Sequence, residues 1–329
     1  MKIKITINDA NRRLDKFLMA FLNKAVPSFI YKMLRKKRIK LNGARASGSE
    51  MLQVDDEITL YLSPETIASY QEAKIVKETA PLTGIVHEDE HLLIVNKPTG
   101  LASQSGGSIE NLNDRILYYL YQTGQFDPEG SITPSICNRL DVNTSGLVIA
   151  GKTLLGLQEI NRLFFERKIY KEYYAVVHGV IKDAFILKGL YHKDSVQNIA
   201  GILNNEIVTE SSLENMLMQC KNDTKTVAAI TQIEPVSVSQ DNQYTLIRVN
   251  PITGRSHQIR AHLASIQHPL VGDAKYGGKH IGSIKTQLLH CHKLMITDET
   301  TLPYKTGMTF TADMPDKMLH FVQKYFNNF

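Results

Sequence analysis

Beyond position 84 the apolar residues come in short runs rich in β-branched side chains, and this narrows the possible folds more than any other feature. Leu92–Val95, Leu147–Ala150, Tyr173–Val177 and Leu246–Val249 have the length of buried strands, not of helices. Between them lie helical spacings, such as Leu157, Ile160 and Phe164. Short strands with interspersed helices predict an α+β domain on a mixed or antiparallel sheet, beginning near Gly84. No run reaches the roughly 18 apolar residues that a membrane span needs. The opening MKIKITINDA alternates polar and apolar residues and lacks the apolar core of a signal peptide. Cys137, Cys220 and Cys291 are far apart, without a CxxC pair. Such an odd, sparse set argues against a disulfide framework and reads as buried thiols in a reducing cytoplasm.

The 329 residues leave room for a second, smaller domain, and the charge distribution shows where it lies. Residues 1–62 hold 13 Lys+Arg against 6 Asp+Glu, whereas the rest hold 25 against 27. This basic segment reads as a small α/β module. Leu14, Phe17, Leu18, Phe21 and Leu22 form one apolar helical face. After Pro27, a second helix turns Ile30, Met33 and Leu34 inward and groups Lys32, Arg35 and Lys36 on another face. The run Ile39-Lys40-Leu41 ends at Asn42-Gly43, a tight-turn signal, and Glu57–Leu62 follows as a further strand. With Arg38 and Lys40, the basic helical face can lay several cations along a phosphate backbone, so the expected partner is nucleic acid. Residues 63–83 carry no firm period and read as a linker. Residues 181–224 are weakly patterned and read as an insertion.

Two motif matches are set aside on local grounds. Gly146–Thr153 satisfies GxxxxGK[ST], but its intervening Leu-Val-Ile-Ala favours a buried strand over a flexible phosphate-wrapping loop. His87–His91 satisfies HExxH, yet it falls between two apolar runs that read as strand, turn, strand. Zinc needs both imidazoles one helical turn apart, and residues four apart in extended chain are separated by roughly 13 Å. No cofactor fingerprint and no metal site are therefore expected.

The remaining chemistry lies in two polar clusters. Asn138-Arg139-Leu140-Asp141-Val142-Asn143-Thr144-Ser145-Gly146 leads directly into the strand Leu147–Ala150, where a carboxylate would meet substrate from a rigid support. Gly254-Arg255-Ser256-His257-Gln258-Ile259-Arg260 opens a helix that continues through Leu263 and Ile266.

Together these segments resemble the RluA-type pseudouridine synthases. Asn138–Gly146 is similar to the active-site loop of that family. Asp89–Leu101, with Lys97-Pro98, resembles its opening strand and turn, and Lys171–Gly179 its tyrosine-bearing strand. Gly254–Arg260 and the following His268-Pro269-Leu-Val-Gly272-Asp273-x-x-Tyr276-Gly277 resemble its late motif. Residues 12–62 resemble the RNA-binding module named after small-subunit ribosomal protein four. The order 1–62 RNA-binding module, 63–83 linker and 84–329 catalytic domain follows.

The resemblance implies isomerisation of uridine in structured RNA without a cofactor. The bond between uracil and ribose breaks, the base turns, and it rejoins through carbon 5. Asp141 matches the catalytic carboxylate, which either attacks the sugar or removes a sugar proton. Arg260 matches its arginine partner, able to hold the charged carboxylate. Tyr173 matches the residue that packs on the uracil and helps move the carbon 5 proton. Arg139 matches the residue that fills the space of the extruded nucleotide. Asn138 stands where the family has His, and Ser256 where it has Thr. Large-subunit ribosomal RNA is the first expected substrate and transfer RNA the second, with a monomer as the default state. The rival reading is a non-catalytic RNA-binding or ribosome-assembly protein that keeps the fold; hydrolysis by a zinc or nucleotide enzyme is more remote.

Overall fold

The computed structural model describes residues 1–105, 109–194, 196–208 and 228–327. The chain divides into two compact units. One comprises Met1–Ile94, Gln104–Asn138 and Ile149–Arg162, and the other Val95–Ser103, Arg139–Val148 and Leu163–Phe329.

The first unit begins with strands β1 (Lys2–Lys4), β2 (Ile39–Leu41), β3 (Ala44–Arg45) and β4 (Glu57–Leu60) and helices α1 (Leu14–Phe21) and α2 (Pro27–Arg35). The strands form an antiparallel sheet in the order β1-β4-β2-β3. The predicted face Leu14, Phe17, Leu18, Phe21, Leu22 is buried, together with Ile30 and Leu34 of α2. Pro27 occupies the first turn of α2, where its missing N–H costs nothing. Asn42 and Gly43 both take positive φ, 49° and 75°, the conformation a two-residue hairpin turn requires. The stretch 63–83 contains a helix that its sequence does not announce, α3 (Pro64–Tyr70), capped by Ser63 accepting from the Thr66 amide. Its Ile67 joins the same core. Seven residues give two turns, too few for an apolar period to emerge.

The rest of this unit carries β5 (Ile85–Glu88), the start of β6 (Leu92–Lys97), α4 (Leu112–Gln122), β7 (Ser135–Ile136), the far end of β8 (Ser145–Gly151) and most of α5 (Leu154–Phe165). His87 lies on β5 and pairs with Asp89 at 2.8 Å, while His91 lies in the following turn and pairs with Thr153 at 3.0 Å. Lys152 reaches Glu88 at 3.0 Å, and Thr153 accepts from the Gly156 amide as α5 begins. Every residue of β8 is buried, so Leu147–Ala150 is strand, as its composition requires.

The second unit is built on β9 (Ile169–His178), β10 (Phe185–Asp194), β11 (Ile199–Val208), β12 (Ala228–Val238), β13 (Tyr244–Pro251), β14 (Leu289–Ile296) and β15 (Thr309–Thr311). They run antiparallel in the order β11-β10-β12-β13-β9-β14, with β15 also on β14. Ser145 and Gly146 of β8 pair parallel with His290 and Cys291, which makes the sheet mixed. Helix α6 (Gln258–Ser265) packs on β11, β12 and β13, and α7 (Asp316–Tyr325) buries Met318, Phe321 and Val322 with Val176, Tyr244 and Leu246. The weakly patterned stretch 181–224 holds the β10–β11 hairpin, with residues 209–224 outside the described residues. Much of β11 faces solvent, so no apolar alternation marks it. Cys137 and Cys291 are free thiols; Cys220 lies outside the described residues. Among the described residues no helix is long and apolar enough to cross a membrane.

Candidate active site

Asp141 occupies the turn that carries the chain into β8, and its neighbours hold that turn from several sides. Ser103 Oγ accepts from the Leu140 amide at 2.9 Å and donates to the Leu140 carbonyl at 2.7 Å. The Asp141 carbonyl accepts from the Thr144 amide at 3.0 Å, and the Val142 carbonyl from the Gly100 amide at 2.9 Å. Lys97, fully buried, donates to the carbonyls of Pro98, Leu101 and Val142 at 2.9, 2.8 and 3.1 Å. Burial pushes its ammonium down to about 8, against the opposing pull of Asp141. At Gly146, with φ of +116°, a Cβ would lie 2.3 Å from the Cys291 carbonyl oxygen, so only glycine lets β8 meet β14 here. The Asp141 backbone is thereby fixed while its side chain stays 24% exposed.

A second set of bonds aims a cation at that carboxylate. On α6, Arg260 donates from Nε and Nη2 to both oxygens of Asp273, at 2.7 and 2.8 Å, and from Nη1 to Asp141 Oδ2 at 3.0 Å. Asp273 is 2% exposed, and this fork-to-fork pairing fixes the guanidinium plane. Burial opposes the Arg260 charge, but the two carboxylates prevail and raise its pKa. The guanidinium also lies 4.7 Å above the Tyr276 ring. The Tyr276 hydroxyl accepts from the Ala200 amide at 2.8 Å and meets His257 Nδ1 at 2.9 Å. His257, at φ 56° just before α6, brings Nε2 to 3.9 Å from Asp141 Oδ2. Burial, opposed by Asp141 and assisted by Arg260, lowers its pKa, which favours neutral imidazole. Gln258 braces the loop, accepting from the Arg255 amide at 3.0 Å and donating to the Ile230 carbonyl at 2.9 Å.

Tyr173 lies on β9 opposite Cys291 of β14. Burial pushes its hydroxyl well above the usual phenol range, and Cys291 acts in the same direction. It also feels the Asp141 charge. Arg139 precedes Leu140 with its side chain exposed. Asn138, in the first unit, accepts from the Ile149 amide at 2.8 Å, a bond that shapes the backbone and needs no proton on the side chain. Among the described residues no cluster of His, Cys, Asp or Glu is arranged to hold a metal ion.

In the first unit, Lys32, Arg35, Lys36 and Arg38 are exposed and Lys40 is half-buried, its ammonium 5.3 Å from the Tyr61 ring centre. None of the five enters an ion pair among the described residues. Their neighbours Lys2, Lys4, Arg12, Arg13 and Lys24 each pair with a carboxylate.

The structure thus brings Asp141 and Arg260 into direct contact. It also adds Lys97, His257, Asp273 and Tyr276, which sequence reasoning did not single out as site residues. All four stand inside the quoted motif segments, so their proximity in sequence to Pro98 or Arg260 was the available signal. Their contacts were not legible, because they depend on loops meeting across the sheet.

A family model described as RNA pseudouridylate synthase matches residues 91–265. A protein of Buchnera aphidicola named ribosomal large subunit pseudouridine synthase C is 31% identical over 307 residues, covering 91% of this chain and 87% of its own. Its namesake in Rickettsia prowazekii is 30% identical over 295 residues, covering 87% and 89%. Among solved structures, human RNA pseudouridylate synthase domain containing 4 superposes with a TM-score of 0.56 at 20% identity, covering 73% of this chain and 92% of its own, a likeness of fold. With that model matching more than half of the chain and relatives 31% and 30% identical along most of it, the chain belongs to the RNA pseudouridylate synthase family.

Proposed function

We propose that this pseudouridine synthase isomerises specific uridines of large-subunit ribosomal RNA, with Asp141 as its catalytic carboxylate, and that it works in the cytoplasm as a monomer without a cofactor. The observation that carries the reading is the clamp: Arg260, oriented by Asp273, donates to an Asp141 carboxylate that remains open to substrate. A structural ion pair would not need its acid on a loop fixed by Ser103, Gly100 and Lys97 yet accessible at the tip. Transfer RNA is the second candidate substrate.

In this reading Asp141 acts at the ribose while the N1–C1′ bond breaks. The freed uracil turns and forms the C5–C1′ bond; C5 gives up its proton and N1 gains one, so atoms and charge balance. Arg260 donates to the Asp141 carboxylate and fixes its orientation. Tyr173, a protonated phenol, offers its ring to the turning base, and Arg139 fills the gap left by the extruded nucleotide. Residues 1–62 form the RNA-binding module ahead of a catalytic domain at 84–329. Its unpaired cations Lys32, Arg35, Lys36, Arg38 and Lys40 supply the phosphate contacts. The relatives' names support the ribosomal substrate.

The test is a map of pseudouridines by carbodiimide-dependent reverse-transcriptase stops, in cells with and without the protein. Loss of a few stops in large-subunit ribosomal RNA, restored by wild type but not by Asp141→Asn, is expected. Since Asp141 is partly exposed, the variant should fold normally. Restoration by Asp141→Asn would refute the catalytic role; an unchanged map would refute the substrate.

A further inference from the structure

A cavity of about 180 Å³ opens at the start of β9, lined among others by Phe164, Arg167, Lys171, Asn250 and Thr297. Lys171 lies two residues before Tyr173 and on the same face of the strand, about 7 Å along it. Its ammonium is 3.8 Å from where a Cβ on Gly254 would stand, which sets it beside the loop that delivers Arg260.

The charge of this cavity is one-sided. Lys171 makes no hydrogen bond or ion pair among the described residues, and Arg167 Nη1 is buried without a partner. Nearby acids are engaged elsewhere. Glu172, on the opposite face of β9, accepts from the Tyr170 hydroxyl at 3.2 Å and lies 3.7 Å from Lys293. Asp298 pairs with Lys168 at 3.2 Å, and Glu234 with Arg248 at 2.7 Å. Burial, reinforced by the Arg167 charge, pushes Lys171 down to about 8, although Cys291 draws it the other way. Holding the desolvated Lys171 ammonium beside a second cation without an acid is costly for the free protein and is recovered only when an anion arrives. Asn250 and Thr297 add neutral hydrogen-bonding groups, which suit an oxyanion. Phe165, 88% exposed two residues before Arg167, supplies the kind of aromatic on which single-stranded bases stack beside a cationic groove.

We propose that this cavity is a subsite for one backbone phosphate of the substrate RNA, close to the uridine being isomerised. The inference rests on the reading of Asp141 as the catalytic centre, because the anion that substrate carries nearest its target base is the phosphodiester.

The experiment compares wild type, Lys171→Met and Arg167→Gln on a large-subunit ribosomal RNA transcript, by filter binding across a salt series and by single-turnover pseudouridine formation. Each variant should weaken binding about tenfold or more and flatten the log Kd against log salt slope by about 0.7–0.9. Oligonucleotides spanning the modified uridine then carry one neutral methylphosphonate at each flanking position in turn. One position should weaken wild-type binding by the same factor and weaken Lys171→Met no further. Wild-type salt slopes in both variants, or methylphosphonate effects that simply add to that of Lys171→Met at every position, would overturn the subsite. Competition by inorganic phosphate without any such coupling would overturn it too, leaving a free-anion site. Absence of pseudouridine with wild type would instead undo the catalytic reading. Methionine has nearly the volume of lysine and no charge to desolvate, so Lys171→Met should fold; if it does not, Arg167→Gln decides.

Discussion

Replacing Lys97 with methionine probes how the Asp141 loop is held, and its effect on stability has a sign that the structure dictates. Lys97 is fully buried, and its folded pKa falls from 10.5 to about 8 through burial, partly offset by Asp141. Below pH 8 both the folded and unfolded chains carry this proton, and the folded state bears the whole desolvation cost. Between pH 8 and 10.5 the unfolded chain still binds the proton while the folded chain has released it. Stability from this group therefore rises with pH through that window and levels off above it. A shift of this size is worth about 3 kcal/mol. Methionine binds no proton, so the stability of wild type minus that of Lys97→Met should increase by about 3 kcal/mol between pH 8 and 10.5. Guanidinium unfolding at several pH values, read at constant m, measures the difference directly. At neutral pH the variant loses the contacts to Pro98, Leu101 and Val142 but also the buried charge, so it should fold with stability within about 2 kcal/mol of wild type. Freeing the Val142 carbonyl next to Asp141 should lower kcat roughly 100-fold with little change in KM, since small misplacements of a reacting group cost that much. A stability difference that stays flat with pH would refute the desolvated ammonium. An unchanged kcat would refute its role in positioning the loop.

Two further outcomes follow from the same geometry. The triple variant Lys32→Ala, Arg35→Ala, Lys36→Ala should leave stability nearly unchanged, because all three side chains are exposed, and should reduce the salt slope of RNA binding by about 2 to 3; a wild-type slope would place the docking surface elsewhere. Gly146→Ala forces a Cβ to 2.3 Å from the Cys291 carbonyl oxygen at a φ that favours glycine, so it should destabilise by roughly 3 kcal/mol or more, read as a fall in the denaturant midpoint. A neutral result would mean that β8 and β14 can separate at no cost.

The features legible in sequence are those set by local period or by contiguous motif. Leu14, Phe17, Leu18, Phe21 and Leu22 announce α1 because a helix returns to the same face every three to four residues. Leu147–Ala150 announces β8 because four consecutive apolar residues between turn-formers have few other uses. Helix α3 and strand β11 were illegible for the converse reason: one is too short to repeat, and the other leaves much of its length in water. Asn138 looked like a departure from the family's loop, and only the coordinates show its side-chain oxygen accepting from the Ile149 amide.

The sequence by itself determined which residues are available for chemistry: an acid at 141 in a polar turn, an arginine at 260 opening a helix, and a basic segment at the N-terminus. It determined these because residue type and local spacing are properties of the chain alone. Tertiary structure decided what those groups experience. It placed Asp273 beneath Arg260, buried Lys97 against three carbonyls, and left Lys171 and Arg167 facing a cavity with no acid in it. Charge, orientation and pKa depend on distances of a few ångströms between segments up to 119 residues apart, as at Asp141 and Arg260. Those distances come into being only when the strands pair and the loops at their ends are brought together.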